Sequence, residues 1–126
     1  MITGYTLDTG ALIALERRHQ RMAVFWELAR VERLTITVPA VVVAEWWRAE
    51  SAIRIAILRA VTVEPLTREL AQLAGKAIGV VRGSTVADAI VVASAAQRGD
   101  AILTSDVDDM EALREHFRSV AVVLRV

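Results

Sequence analysis

The stretch ITGYTLDTGALIALE, residues 2–16, contains a strand-type segment followed at once by a helix-type segment. Residues 2–7 are rich in β-branched and aromatic side chains, which predicts a short strand. Thr9 suits the cap of a helix that ends near His19, and the apolar face of this helix is formed by Leu12, Ile13 and Leu15. A strand that passes directly into a helix is the building unit of an α/β fold.

The same alternation continues to the end of the chain. Strands are predicted at residues 2–7, 34–38, 61–64, 101–104 and 120–124. Helices are predicted at residues 9–19, 21–32, 40–50, 51–59, 67–79, 86–98 and 106–117, with Gly79 and Gly83 marking a loop. Strands that alternate with helices predict an α/β fold of three layers, α/β/α, with a five-stranded, mostly parallel sheet covered on both faces.

Composition is consistent with one domain over residues 1–126. No apolar run approaches the roughly 18 residues that a membrane-spanning helix needs. The N-terminus lacks the pattern of a signal peptide, and the chain has no cysteine, which excludes disulfides and thiolate metal sites. These features fit a cytoplasmic protein.

The hydrophobic fraction of 55% is higher than the roughly 45–50% of soluble domains. Two interpretations stay open at this point. The excess indicates an apolar surface for a partner or a homodimer, or it reflects richness in alanine and valine. The formal net charge is zero, so no overall field attracts nucleic acid to the chain.

Four acidic residues lie beside apolar runs, each where a predicted strand ends or a helix begins or follows. They are Asp8, Glu45, Asp88 and Asp106. In a parallel sheet of order 3-2-1-4-5, strands one and four are neighbours at the point where the strand order reverses, and ligands bind at their carboxyl ends. The four acids are then expected at the same edge of the sheet.

Each acid also has a purely structural interpretation. In these interpretations Asp8 is an N-cap, Thr85-x-x-Asp88 is a capping box, Asp106 and Ser105-x-x-Asp108 begin a helix, and Glu45 pairs with Arg48. For one acid alone this interpretation is preferred. It weakens for four acids at one edge, because two unit charges about 5 Å apart repel by roughly 3 kcal/mol at an effective dielectric constant near 20.

Clustered carboxylates therefore need cations. Oxygen ligands without Cys or His select hard ions, so Mg²⁺ is expected and Mn²⁺ is an alternative. Ions held by carboxylates with open coordination positions suit phosphodiester hydrolysis, since they lower the pKa of an attacking water and neutralise charge on the attacking and leaving oxygens. Such chemistry requires no Ser or His nucleophile.

The sequence resembles the PIN-domain family, in particular VapC-like toxins of bacterial toxin–antitoxin pairs. The resemblance covers nearly the whole chain and rests on Leu7-Asp8-Thr9, Val38-Pro39-Ala40-x-x-x-Ala44-Glu45, Ala87-Asp88-Ala89 and Leu103-Thr104-Ser105-Asp106-x-x-Asp109-Met110. It implies the strand order 3-2-1-4-5, a Mg²⁺-dependent endoribonuclease, a homodimer, and an antitoxin whose tail covers the acidic pocket.

The resemblance also implies roles for single residues. Asp8, Glu45, Asp88 and Asp106 resemble the metal-binding acids of the family. Thr9 and Thr104 resemble hydroxyl neighbours that position waters or ligands. One of the acids Asp108 and Asp109 is expected to support the site. The RNA target is not implied, since toxins of this kind cleave transfer, ribosomal or messenger RNA.

Two other functions stay open on the sequence. One is a PIN-like nuclease of RNA maturation that has no antitoxin. The other is a non-catalytic α/β interaction module, in which the four acids are helix caps and ion pairs and the apolar excess binds a partner.

Overall fold

The structure, a computed structural model, describes residues 2–126. In these residues strands and helices alternate along the chain. The strands are β1 (Gly4–Leu7), β2 (Thr35–Pro39), β3 (Thr62–Glu64), β4 (Ala101–Thr104) and β5 (Val123–Arg125). The helices are α1 (Thr9–Glu16), α2 (Gln20–Glu32), α3 (Ala40–Trp46), α4 (Ala52–Ala60), α5 (Arg68–Val80), α6 (Val86–Arg98) and α7 (Val107–Arg114).

The five strands form one parallel sheet in the order β3-β2-β1-β4-β5. Tyr5 on β1 is aligned with Ile36 on β2 and with Ala101 on β4. The chain leaves β1 toward β2 on one side and returns to β4 on the other. This reversal opens a crevice at the carboxyl ends of β1 and β4. The predicted fold class and strand order are confirmed.

The sheet is buried on both faces at its centre. All residues of β1 and β4 are buried, as expected for parallel strands that helices cover on two sides. Helix α6 is the most deeply packed helix, since every residue from Ala89 to Ala95 is buried. Its first turn remains closer to the surface, so it presents Asp88 at the carboxyl edge of the sheet.

Several predicted boundaries were wrong, including the end of α3, which lies at Trp46 and not at residue 50. Gly79 does not mark a loop but lies inside α5, because Leu70, Ala74 and Ala77 bury the opposite face of that helix and this packing outweighs the cost of one exposed glycine. Helix α7 ends at Arg114 and not near Phe117. Strand β5 begins at Val123 because its register is set by pairing with β4.

Helix α1 is also shorter than predicted and has a different cap. It ends at Glu16, and Arg18 adopts a left-handed conformation with φ of 58°. Its N-cap is Asp8, as one structural interpretation of the sequence stated, and not Thr9. In the described residues no helix is long and apolar enough to cross a bilayer.

Candidate active site

All four predicted acids line one cavity of about 340 Å³ at the carboxyl ends of β1 and β4, here called the acidic cleft. Each comes from a different segment. Asp8 follows β1, Glu45 lies near the end of α3, Asp88 in the first turn of α6, and Asp106 directly before α7. The rest of the lining is Thr9, Gly10, Val42, Thr85, Ala87, Val91 and Asp109. The prediction that the four acids share one edge of the sheet is therefore confirmed in position.

Asp8 is the most buried acid of the cleft, with 7% of its surface exposed. One carboxylate oxygen, Oδ1, accepts a hydrogen bond of 2.8 Å from the backbone N–H of Ala11, and the other, Oδ2, accepts one from the Thr104 hydroxyl. Burial raises the pKa of Asp8 despite these bonds, and the negative charges of Asp88 and Asp106 raise it further. Asp8 is thus held firmly without a compensating positive charge.

Thr104 links Asp8 to the next acid of the cleft. Its hydroxyl donates to Asp8 and accepts a 2.9 Å hydrogen bond from the backbone N–H of Asp106. Asp109 lies one helical turn further, where a hydrogen bond with Asp106 and the charge of Asp106 raise the pKa of Asp109. Asp108 is exposed and does not line the cleft. The structure thus brings Asp109 to the predicted site and leaves Asp108 outside it.

Asp88 and Glu45 form the other wall. The backbone N–H of Asp88 donates a 3.1 Å hydrogen bond to Thr85 Oγ1, so the predicted cap is present. Burial raises the pKa of Asp88, and the charges of Asp109, Asp106 and Glu45 raise it further. This coupling shows that the acids act on one another across the cleft.

Glu45 lies on a helix, as predicted, and its Oε1 accepts a 2.6 Å hydrogen bond from the Thr9 hydroxyl. The predicted side-chain pairing with Arg48 was wrong. Arg48 donates instead to the backbone carbonyl of Glu45 at 3.2 Å, which satisfies the end of a short helix and leaves the carboxylate free to face the cleft.

Gly10 was not predicted from the sequence, although it follows the Asp8-Thr9 pair directly. A Cβ at this position would lie 2.1 Å from Ser105 Oγ. Glycine therefore allows the loop after β4 to approach the start of α1. Its place two residues after a strand-ending acid was the sequence signal for such an approach.

The donor chemistry of the cleft fits a hard divalent cation. Five carboxylates and the hydroxyls of Thr9 and Thr85 supply oxygen alone, and no Lys or Arg of residues 2–126 lines the cavity. Among residues 2–126, no three His, Cys, Asp or Glu side chains lie close enough together to hold one ion. All of these acids except Asp8 are at least partly exposed, so their side chains have room to move.

A second, larger cavity of about 430 Å³ lies at the amino ends of β2 and β3, the opposite edge of the sheet. Its lining includes Trp26, Arg30, Thr35 and Thr62 and contains no carboxylate. Size does not identify the site, since a third cavity of about 480 Å³, lined by Glu111, Arg114, Glu115 and Arg118, is larger than both. Convergent polar groups with perturbed pKa values are the better indicator of a reactive site, and they favour the acidic cleft.

Residues 5–115 match the model of the PIN domain family. This chain belongs to the PIN-domain family. The match covers all but the first residue of β1, all of β4 and every acid of the cleft, in agreement with the resemblance seen in the sequence. No curated protein matches the chain.

Solved structures of PIN proteins share the fold over nearly the full chain. VapBC2 from Rickettsia felis, bound to a promoter DNA fragment, has 13% identity and a TM-score of 0.76, and the match covers 100% of this chain and 99% of that chain. VapC20 from Mycobacterium tuberculosis, described as a Sarcin-Ricin loop cleaving toxin, has 20% identity, a TM-score of 0.64 and coverages of 86% and 95%. FitAcB from Neisseria gonorrhoeae has 19% identity, a TM-score of 0.64 and coverages of 95% and 96%. At these identities the similarity concerns the fold.

Proposed function

We propose that this PIN-domain protein is a Mg²⁺-dependent endoribonuclease and the toxin of a toxin–antitoxin pair. One observation carries the proposal: five carboxylates line a single cleft that no basic side chain of residues 2–126 neutralises. Membership of the PIN family and the similarity to the RNA-cleaving toxin VapC20 support RNA as the substrate. We further propose that residues 1–126 act as one domain.

The proposed metal-binding residues are Asp8, Glu45, Asp88 and Asp106. A bound Mg²⁺ or Mn²⁺ supplies water activation and charge neutralisation for phosphodiester hydrolysis. The protein orients the acids: Thr104 fixes Asp8, and Thr9 holds Glu45. Asp109 supports Asp106 from one helical turn further along α7. Asp8 is anchored by two hydrogen bonds, whereas the other three acids are more exposed and would have the greater freedom to adjust to a bound ion.

The same comparisons support a proposal about the protein partners of this chain. The VapBC2 and FitAB structures are assemblies bound to DNA fragments, in one case from their own promoter. We therefore propose a cognate antitoxin for this chain and a homodimer of the chain itself, acting in the cytoplasm. The non-catalytic module is less well supported, because none of the cleft acids forms a salt bridge in the described part of the chain.

The first test compares a buried aspartate that lines the cleft with an exposed aspartate that does not. Asp8→Asn is expected to lower RNA cleavage in Mg²⁺ or Mn²⁺ by at least about 100-fold, since loss even of groups that only support a metal ligand costs about 10–100-fold. Asp108→Asn, on the same edge but outside the cleft, is expected to cleave like the wild type. Quantitative end mapping of the cleaved RNA measures the cleavage by both variants.

Two outcomes contradict the proposal. If Asp8→Asn cleaves as fast as the wild type, the activity arises elsewhere. If the wild type binds Mn²⁺ and leaves all cellular RNA intact, the protein is not a ribonuclease. Expression in a bacterial host separates toxin from maturation nuclease, because only a toxin arrests growth in the wild type and not in Asp8→Asn.

A further inference from the structure

Glu45 is the cleft acid whose position depends most on its own helix. It is exposed and lies near the end of α3, a helix of seven residues whose N-cap, Pro39, makes no side-chain cap bond. A helix this short is not stable by itself, so tertiary contacts must hold it. The Thr9 hydroxyl contacts the carboxylate of Glu45 but does not fix the helix end.

The residue after Glu45 is anchored by a polar cluster on the far side of α3. Trp46 is 3% exposed, and its Nε1–H donates a 2.9 Å hydrogen bond to Glu16 Oε1 at the end of α1. The same carboxylate accepts hydrogen bonds from Arg54 Nε at 2.8 Å and Nη2 at 3.2 Å. Arg54 lies on α4 and also donates from Nη1 to the Ala49 carbonyl at 2.6 Å.

These bonds join three helices and the connection between two of them at one point. Glu16 belongs to α1, Trp46 to α3, Arg54 to α4, and Ala49 to the segment between α3 and α4. Helix α1 therefore contacts α3 at both of its own ends, through Thr9 at its start and Glu16 at its end. A bidentate ion pair has a defined geometry, so the anchor fixes orientation as well as distance.

We propose that Glu16 and Arg54 are positioning residues, which fix the end of α3 through Trp46 and thereby hold Glu45 at the acidic cleft. The inference rests on the proposed function in taking Glu45 as a metal-binding acid. Loss of either partner frees the end of α3 and leaves the other charge without its counterion. Because Glu45 directly precedes Trp46 in the chain, a displaced end of α3 also displaces Glu45.

The test is a double-mutant cycle on Mn²⁺ affinity, measured without RNA by calorimetry or by the electron paramagnetic resonance of Mn²⁺. Glu16→Gln retains an acceptor for Trp46 but loses the charge that binds Arg54. It is expected to weaken Mn²⁺ binding about 10-fold, the lower end of the effect of groups that orient metal ligands. Combined with Glu45→Gln it is expected to add little, because residues that act through one another are non-additive.

Two further variants complete the design. Arg54→Lys keeps the charge and loses the bidentate geometry, so it is expected to weaken Mn²⁺ binding in the same direction but less. Arg54→Lys also tests the proposal if Glu16→Gln does not fold. Glu27→Gln removes an exposed ion pair with Arg30 on α2, away from the cleft, and is expected to leave Mn²⁺ affinity unchanged.

The outcomes separate this proposal from the proposed function. It is overturned if Glu16→Gln lowers the melting temperature with unchanged Mn²⁺ affinity, if its effect adds fully to that of Glu45→Gln, or if the wild type does not bind Mn²⁺. Non-additive loss of Mn²⁺ affinity supports it even in a protein that cleaves no RNA. A failure to cleave RNA would contradict only the ribonuclease proposal.

Discussion

Two buried aspartates near opposite ends of the central strands have opposite surroundings. Asp100, 3% exposed, precedes β4 and accepts hydrogen bonds from Arg98 Nε at 3.0 Å and from Thr6 Oγ1 at 2.8 Å. Arg98 also bonds Glu64 and Ser94, so one guanidinium joins β1, β3 and α6. Asp8, 7% exposed, has only an amide and a hydroxyl as hydrogen-bond partners among residues 2–126.

The difference lies in where the positive charge comes from. The arginine cluster, defined as Arg98 with its partners Thr6, Glu64, Ser94 and Asp100, contains its own cation. The acidic cleft contains none. Burying a carboxylate without a counterion costs free energy, and the raised pKa of Asp8 expresses that cost. The cleft therefore suits a cation from solution, whereas the arginine cluster has a cation of its own, although Glu64 Oε1 is buried there without a hydrogen-bond partner.

The largest expected effect comes from removing Arg98, the positively charged residue of the arginine cluster. Arg98→Met leaves Asp100 buried without a charged partner and is expected to lower the free energy of unfolding by about 3 kcal/mol, the lower end for breaking a buried pair, since Arg98 is partly exposed. Urea unfolding measures the change. Arg30→Met, which breaks an exposed pair, is the matched control and is expected to behave like the wild type. A small effect of Arg98→Met would show that the arginine cluster is not a stabilising counterpart to the cleft.

An intermediate effect is expected from two glycines, Gly4 at the start of β1 and Gly10 in the first turn of α1. A Cβ at Gly4 would lie 2.6 Å from the Thr35 backbone carbonyl, which cannot move away, so Gly4→Ala is expected to destabilise by about 2 kcal/mol. A Cβ at Gly10 meets the Ser105 side chain, which can rotate, so Gly10→Ala is expected to cost about 1 kcal/mol or less.

The double variant Gly10→Ala with Ser105→Gly decides whether that clash is the cause. It removes the clashing side chain and is expected to recover the stability lost in Gly10→Ala. No such exchange is open to Gly4, whose obstacle is backbone. Equal destabilisation by both alanine variants, or no recovery in the double variant, would contradict this account of the cleft. Thermal or urea unfolding of the four proteins provides the comparison.

The smallest effect concerns Asp8 and pH. Because the pKa of Asp8 in the folded protein is raised above 3.8, the folded state binds more protons than the unfolded state between 3.8 and the raised value. This group therefore makes the metal-free protein less stable as pH rises through that window. Asp8→Asn lacks the penalty and is expected to melt at a higher temperature than the wild type near neutral pH, with the difference shrinking toward pH 3.8.

Saturating Mn²⁺ should reverse that order. An ion at 100 times its dissociation constant stabilises the folded state by about 2.7 kcal/mol, and Asp8→Asn is expected to lose most of this gain. Melting curves at several pH values, with and without Mn²⁺, measure both effects. If Asp8→Asn is less stable than the wild type without metal at neutral pH, Asp8 is a structural cap and not an uncompensated charge.

Much of the fold could be predicted because its signals are local. The strand before Asp8 and the helix that ends at Gly99, which has φ of 71°, are set by side-chain periodicity and backbone preference. Gly79 shows the limit of such reasoning. The packing of α5 outweighed the preference of this glycine for a loop. The sequence of one helix does not reveal how strongly that helix packs against the rest of the protein.

The site was predictable for a related reason. In a parallel sheet every strand ends at the same edge, so an acid placed after a strand has a known destination. The choice between Asp108 and Asp109 was not predictable, because adjacent residues of a helix point about 100° apart and only the packing of α7 decides which faces the cleft.

By itself the sequence determined the order of strands and helices, the edge at which the acids gather and the hard-ion character of their donors, since these depend on local pattern and side-chain chemistry. Only the tertiary structure decided which charges are neutralised. Arg98 meets Glu64 and Arg54 meets Glu16 across 34 and 38 residues of chain. Such contacts depend on how helices pack against the sheet, which leaves Asp100 paired and Asp8 without a cation.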